Sequence, residues 1–266
     1  MNIYWREMKS YRKSLIFWSI GILFMVVSGM AKYEAYSASG QSINDLMADI
    51  PKSIKAVLGF GEVDLSTLSG YYSILFLYLI LMATIHATML GASIIAKEER
   101  DKTSEFLFVK PVSRSAVITA KLTAAFTNVV VFNLVTFVSL VVIMGKYNTN
   151  GEEVNGDIAL TMAGMFLAQI LFLMVGSALA SIKRKPKTAG SAATGILLLT
   201  YLLSMIVDLN EGLGALKYVT PFKYFDAQNI MFGNGLEPIF IILSLAISLV
   251  LIRLTYVFFK KRDLNV

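Results

Sequence analysis

The 266-residue sequence contains no cysteine and a single histidine, His86. The first absence excludes disulfide staples, thiolate metal sites and cysteine nucleophiles. The second excludes a zinc site built from clustered histidines. Charge is scarce as well: 16% of residues are Asp, Glu, Lys or Arg, against about 25% in soluble domains. No G-x-x-x-x-G-K-[ST] loop occurs, so the chain lacks the phosphate cradle with which many ATPases hold nucleotide. The pairs Gly59/Gly61, Gly212/Gly214 and Gly233/Gly235 reach only G-x-G, and there is no G-x-S-x-G nucleophile elbow. Glu152, Glu153 and Asp157 fall in a turn-rich connection and are expected to be solvated. No catalytic constellation can be assembled, which leaves a membrane-embedded enzyme without a polar site.

What the sequence has is apolar length. Hydrophobic residues make up 56% of the chain, and a spanning helix needs about 20 of them in near-continuous order. Six runs qualify: 14–30, 72–96, 117–144, 159–182, 188–207 and 238–259. The expected fold is an all-α polytopic bundle forming one transmembrane domain over 1–266, with little chain left for a soluble domain. Only Lys183–Lys187 separates the fourth and fifth runs, so they are expected to form a tight hairpin. The first run follows basic residues as a signal peptide would. The small residues Ser37-Ala38-Ser39 lie well past the apolar core, so an uncleaved span is expected.

Lysine and arginine set the orientation. The N-terminus, the second–third connection, the fourth–fifth turn and the C-terminus carry four, six, four and three cations, 17 in all; the opposite flanks carry six. Positive charge is retained in the cytoplasm, so both termini are expected there. This bias accounts for the formal charge of +6 without invoking nucleic acid.

Residues 1–13 place Tyr4, Met8 and Tyr11 on one helical face among Arg6, Lys9, Arg12 and Lys13. That pattern suits a helix lying in the interface, with aromatics at headgroup depth. In the long connection 31–71, Ile43, Leu46, Met47, Ile50, Ile54, Val57 and Leu58 recur at three- and four-residue steps around Pro51. Two short extracellular helices broken at Pro51 are expected. Gly212, Gly214, Pro221, Gly233 and Gly235 interrupt the connection 208–237. Its apolar pieces are too short to span and are expected to form re-entrant or interfacial helices.

Polar residues inside the spans are His86, Asn128, Asn133 and Gln169. Hydrogen bonding between helices explains such residues, at about 0.6 kcal/mol each. His86 is the strongest single candidate for lining a polar path. No Asp or Glu lies near the middle of any span, which argues against a proton-driven carrier. Small residues at four-residue steps, Ala87/Gly91, Gly164/Ala168, Gly176/Ala180 and Ser191/Gly195, are expected to be helix-packing contacts.

The densest charge lies in Lys97–Arg114, KEERDKTSEFLFVKPVSR. It cannot enter a bilayer, because each charge costs about 2.5–3.5 kcal/mol at the centre. Thr103 suits a helix cap, Pro111 a helix stop, and Phe106, Leu107 and Phe108 an apolar triplet among Glu98, Glu99, Arg100, Glu105 and Lys110. An apolar patch with a polar rim suits docking into a protein groove.

Glu98, Thr103, Glu105, Leu107, Pro111, Arg114 and Lys121 trace E-x4-T-x-E-x-L-x3-P-x2-R-x6-K. This resembles the permease subunits of type-2 ABC exporters, in which the cytoplasmic loop after the second span, 97–116 here, carries a coupling helix. Lys102 stands where that family usually has Gly, and Phe108 where a second Leu is frequent. TPFKYFDA, Thr220–Ala227, is similar to the P-F-x-Y segment before the last span of many such permeases.

The resemblance implies an ATP-driven exporter in a multi-pass arrangement, in a bacterial cytoplasmic (plasma) membrane. Two copies of a separate ABC ATPase subunit would hold ATP and magnesium, with no cofactor in this chain. A second permease copy, in a homodimer or heterodimer, and membrane lipid would be the other partners; nucleic acid is not expected. Glu98, Glu99, Arg100, Thr103, Glu105, Phe106, Leu107, Pro111 and Arg114 would couple to the ATPase. The second and fifth spans would meet the other copy, placing His86, Ser191, Thr194 and Thr200 near the path. An amphipathic peptide, antimicrobial or toxin, is the expected cargo, with a drug, lipid or ion as alternatives. A stand-alone channel or sensor is the reading from a different class.

Overall fold

The computed structural model describes residues 2–38, 50–51, 54–55, 63–101, 112–149, 151–183, 186–233 and 235–261. Most of the two short helices expected around Pro51, and the centre of the Lys97–Arg114 stretch, lie outside these residues. Among the described residues all regular structure is helical. Six helices are long and apolar enough to cross a membrane, as the hydrophobic runs predict. They are α1 (Ile3–Ala38), α2 (Leu68–Arg100), α3 (Arg114–Tyr147), α4 (Asn155–Ile182), α5 (Pro186–Leu209) and α8 (Pro238–Lys261). Between α5 and α8 lie a 3₁₀ helix, Glu211–Tyr218, and two short helices, α6 (Pro221–Tyr224) and α7 (Ala227–Phe232).

The helices outrun the apolar runs that predict them. A bilayer limits apolar length, but helical hydrogen bonding continues past its edge. Lys97–Arg100 is therefore the last turn of α2 rather than loop, and α3 begins at Arg114 behind an N-cap, Ser113, whose hydroxyl accepts from the Ala116 amide. Thr67 caps α2 in the same way through the Gly70 amide. Proline opens α5 and α8, where its missing N–H leaves no bond unmade.

Long-range contacts alternate between the two ends of the bundle. At one end Arg6 and Glu7 of α1 meet Lys97 and Glu98 of α2, and the Arg114 guanidinium of α3 donates to the Lys260 carbonyl of α8 at 2.9 Å. At the other end Glu152 accepts from the amides of Leu68 and Ser69, and the Tyr72 and Thr161 hydroxyls lie 2.6 Å apart. Both termini thus share the basic end.

α2 and α4 form the centre. In their most apolar windows 67% and 61% of residues are buried within the chain, against 22% for α1, α5 and α8. The two central helices touch backbone to backbone. A Cβ on Gly91 would sit 2.1 Å from the Leu173 carbonyl oxygen, and one on Gly176 would sit 2.3 Å from that of Thr88. Two of the small-residue pairs therefore serve close helix approach. Gly164 provides room for Phe225. The Ser191/Gly195 pair differs: Ser191 is exposed, and among the described residues nothing lies within 4 Å of a Cβ on Gly195.

The α5–α8 connection folds back into the bundle. Pro221, Phe222, Tyr224, Phe225, Ala227 and Ile230 are buried. Phe222 lies between Phe172 of α4 (5.4 Å) and Tyr201 of α5 (5.2 Å), and Tyr224 stacks on Phe240 of α8 at 5.0 Å. Lys223 joins Asp208 and Asp226. Burial opposes its charge, but the Asp226 and Asp208 carboxylates more than offset that and hold the ammonium above the ordinary lysine range. A raised folded-state pKa means this pairing is intact at neutral pH and is lost only as pH rises past that of a free lysine.

Candidate functional site at the basic end of the bundle

The first turns of α1 cross α3 instead of following it. The Tyr4 hydroxyl is 3.2 Å from that of Thr127, and Met8 sulfur accepts from Asn128 at 3.2 Å. Trp18 packs on His86, which stacks on Phe132. From Tyr4 to Met8 a helix advances about 6 Å, while from Thr127 to Asn128 it advances about 1.5 Å. The N-terminal turns therefore run at an angle to α3, and they are continuous with the first span in one helix instead of forming a separate interfacial one. The face bearing Tyr4, Met8 and Tyr11 packs on the bundle, while Trp5, Lys9, Arg12 and Lys13 are exposed.

Lying across the bundle brings Arg6 and Glu7 over the ends of α2 and α3. The Arg6 guanidinium bridges Glu7 and Glu98, each at 2.7 Å. Lys97 donates to Glu7 at 3.0 Å and to Ser10 at 2.8 Å. Lys121 donates to Glu98 and to the Ile94 carbonyl. Lys121 and Glu7 are fully buried and Glu98 is nearly so. Glu98 and Lys121 are the first and last residues of the 24-residue sequence pattern, so the pattern closes on itself as an ion pair at its base.

The other residues of the Lys97–Arg114 stretch divide in two. Glu98, Glu99 and Arg100 are in the last turn of α2, with Arg100 exposed and paired to Asp101 at 3.1 Å. Arg114 opens α3 and ties it to the carbonyl end of α8, where a cation also complements the helix dipole. Thr103, Glu105, Phe106, Leu107 and Pro111 lie outside the described residues.

In the sequence Lys121 is one of the flanking cations and the last residue of the pattern, while Glu7 belongs to neither. Lys121 is instead buried, because Glu98 and the Ile94 carbonyl replace its water. A signal for Glu7 existed: it is the only acid in the first 33 residues, in a flank otherwise basic.

The expected path residues are not gathered. His86 is buried on α2 between Trp18 (5.5 Å) and Phe132 (4.8 Å), and its Nδ1 has no hydrogen-bond partner among the described residues. Ser191 is exposed on α5; Thr194 and Thr200 are half-buried there, and the Thr200 hydroxyl donates to the Leu197 carbonyl. Asn133 and Gln169 pair across α3 and α4 at 3.0 Å. A buried polar group without a partner costs about 1–3 kcal/mol. His86→Phe is therefore expected to hold or raise the melting temperature of the purified protein, and a fall would show that the imidazole has a partner in the membrane.

Residues 1–264, nearly the entire chain, match the family described as ABC-2 family transporter protein. The chain belongs to that family. No curated protein matches it. Membership makes the chain a transmembrane subunit of an ABC transporter, a family whose members pair with an ABC ATPase and are not generally catalytic themselves. For an ABC-2 subunit, the basic end is of interest because the helices flanking the Lys97–Arg114 stretch converge there with both terminal helices.

Proposed function

We propose that this chain is the permease through which a separate ATPase drives export. The basic end faces the cytoplasm of a bacterial cell, and the Lys97–Arg114 stretch is where the ATPase docks. One observation carries this reading: the two flanks of that stretch are anchored in the bundle, one by Glu98–Lys121 and the other by Arg114 on Lys260. A docking loop whose flanks were free would absorb a push; one with anchored flanks passes it to α1, α2, α3 and α8.

Two copies of the permease pair through α2 and α5, and two ATPase subunits hold the ATP and magnesium. Support comes from the exposed faces. Tyr78 and Met89 of the mostly buried α2 are exposed, as are Ser191, Ile196, Leu198, Leu199 and Leu202 of α5. His86 is covered by Trp18 of α1 and Phe132 of α3, so any part it plays in the path requires α1 or α3 to move. The cargo is an amphipathic peptide, in keeping with apolar outer faces that meet lipid.

Affinity purification of the chain from its native membrane tests the pairing. The expected result is a co-purifying ATPase in equal number. Glu105→Ala should lower ATP turnover of the complex about tenfold, as loss of an interface anchor does, and Arg114→Ala should lower it by freeing the start of α3 from the Lys260 carbonyl. Turnover in lipid should rise with cationic amphipathic peptides more than with drugs or free lipid. Absence of any ATPase, or transport that persists without nucleotide, would oppose the proposal.

A further inference from the structure

Beyond docking itself, the buried charges at the basic end have a consequence for how a push is transmitted. We propose that Lys121, Glu98 and Glu7 are positioning residues: the network they form with Arg6 and Lys97 makes the N-terminal turns of α1, the end of α2 and the start of α3 a single lever that moves as a unit. The inference rests on the exporter reading for the source of the motion, but the lever's rigidity is a property of this chain alone.

The first support is composition. Three cations and two carboxylates meet here, and every contact among Arg6, Glu7, Lys97, Glu98 and Lys121 is charged on both sides. The ion pairs from α1 to α2 run between residues about ninety positions apart, and the pair from α2 to α3 spans the docking stretch.

Burial is the second support. Sliding α2 or α3 away would leave the fully buried Lys121 without its counter-charge, and sliding α1 away would part Glu7 from Lys97 and Glu98 from Arg6. Unpaired buried charge is strongly unfavourable, so the arrangement resists partial loosening.

The third support is that α1 packs along one face only. Along its span Ile22, Val26 and Met30 are buried while Ile16, Phe17, Ile20, Phe24 and Val27 are exposed. At its base the ionic contacts, with the Tyr4 and Met8 contacts on α3, add to that apolar packing and tie the N-terminal turns to the end of α2. Tyr11 contributes from the same face, its ring 5.5 Å from the Lys97 ammonium.

The lack of native cysteine makes the test direct. Spin labels are placed at Lys9→Cys on α1 and Ala116→Cys on α3, both exposed positions, in the purified permease–ATPase complex in lipid, with labelled chain diluted in unlabelled chain so that one copy per complex carries the pair. The distance between them is measured by pulsed electron resonance without nucleotide and with ATP plus vanadate. In the unaltered network one narrow distance is expected in both states. In Lys121→Met and in Glu7→Gln the distribution is expected to broaden, with ATP turnover of the complex falling about tenfold. Lys121→Arg, which keeps the charge, should restore both. If Lys121→Met does not accumulate, Arg6→Gln, a half-exposed member, supplies the same comparison.

The proposal is overturned if the distance changes with nucleotide while the network is intact, or if Lys121→Met leaves both the distribution and turnover unaltered. Failure of the exporter reading is distinct: no ATPase would accompany the unaltered chain, which removes the transmission role whatever the label distances show.

Discussion

Replacing Gly176 by valine is expected to prevent the protein from folding. A Cβ there would lie 2.3 Å from the Thr88 carbonyl oxygen and 2.8 Å from the Ala92 amide nitrogen. Both are backbone atoms of the facing helix, so no rotamer change relieves the clash. The reciprocal position behaves alike, since a Cβ on Gly91 would be 2.1 Å from the Leu173 carbonyl oxygen. Overpacking that side chains can absorb costs about 1–3 kcal/mol; separating two helices held by close backbone approach should exceed that range. Because α2 and α4 are the centre on which the other helices pack, the expected readout in detergent is loss of the monodisperse species. Gly195→Val is the control. Among the described residues nothing lies within 4 Å of its Cβ, so the single chain should fold normally, and a defect confined to pairing of two copies would fit the open face of α5.

The second large effect concerns the buried ion pair, and its asymmetry is the informative part. Glu98→Gln leaves Lys121, which is fully buried, with only the Ile94 carbonyl and a neutral amide. Removing one partner of a buried pair costs about 3–5 kcal/mol. Lys121→Met leaves Glu98 still paired to Arg6 at 2.7 Å, so its cost should be smaller. The double variant removes both buried groups and should be more stable than Glu98→Gln alone. Thermal unfolding of the four proteins, followed by size-exclusion recovery, gives the cycle. If the two single variants and the double variant lose stability additively, the pair contributes nothing specific.

Which parts of this architecture can be read from sequence follows from how local the determining physics is. The six spans are legible because hydrophobic length is a property of contiguous residues. The alternation of connections between the two ends is legible because an even pattern of spans forces it. The Gly91–Gly176 contact is half-legible: four-residue spacing with Ala87 and Ala180 marks a close-packing face, but not which helix it meets. Ser191 and Gly195 show the same spacing on a helix whose face is open, so spacing alone does not separate a contact within the chain from one beyond it.

The network at the basic end is the least legible feature. Glu7 and Lys97 are 90 residues apart, and neither the N-terminal pattern nor the Lys97–Arg114 pattern mentions the other. Lys121 closes the sequence pattern as a cation of the flank, and its burial shows only once α3 starts at Arg114 and carries it inward beside Ile94. His86 shows the converse. A histidine in a span invites a functional reading, yet its ring is enclosed by Trp18 and Phe132, because an imidazole is also a flat ring that packs well among aromatics.

The central claim is that the stretch between α2 and α3 receives the motion of a partner ATPase. Purifying the chain with its partners, unaltered and with Glu105→Ala, and measuring ATP turnover in lipid tests it most directly. The account predicts an ATPase bound to the unaltered chain, with turnover that falls about tenfold in the variant, as for an interface anchor. An unaltered chain that brings down no ATPase, or a variant whose complex turns over ATP at the original rate, would contradict it.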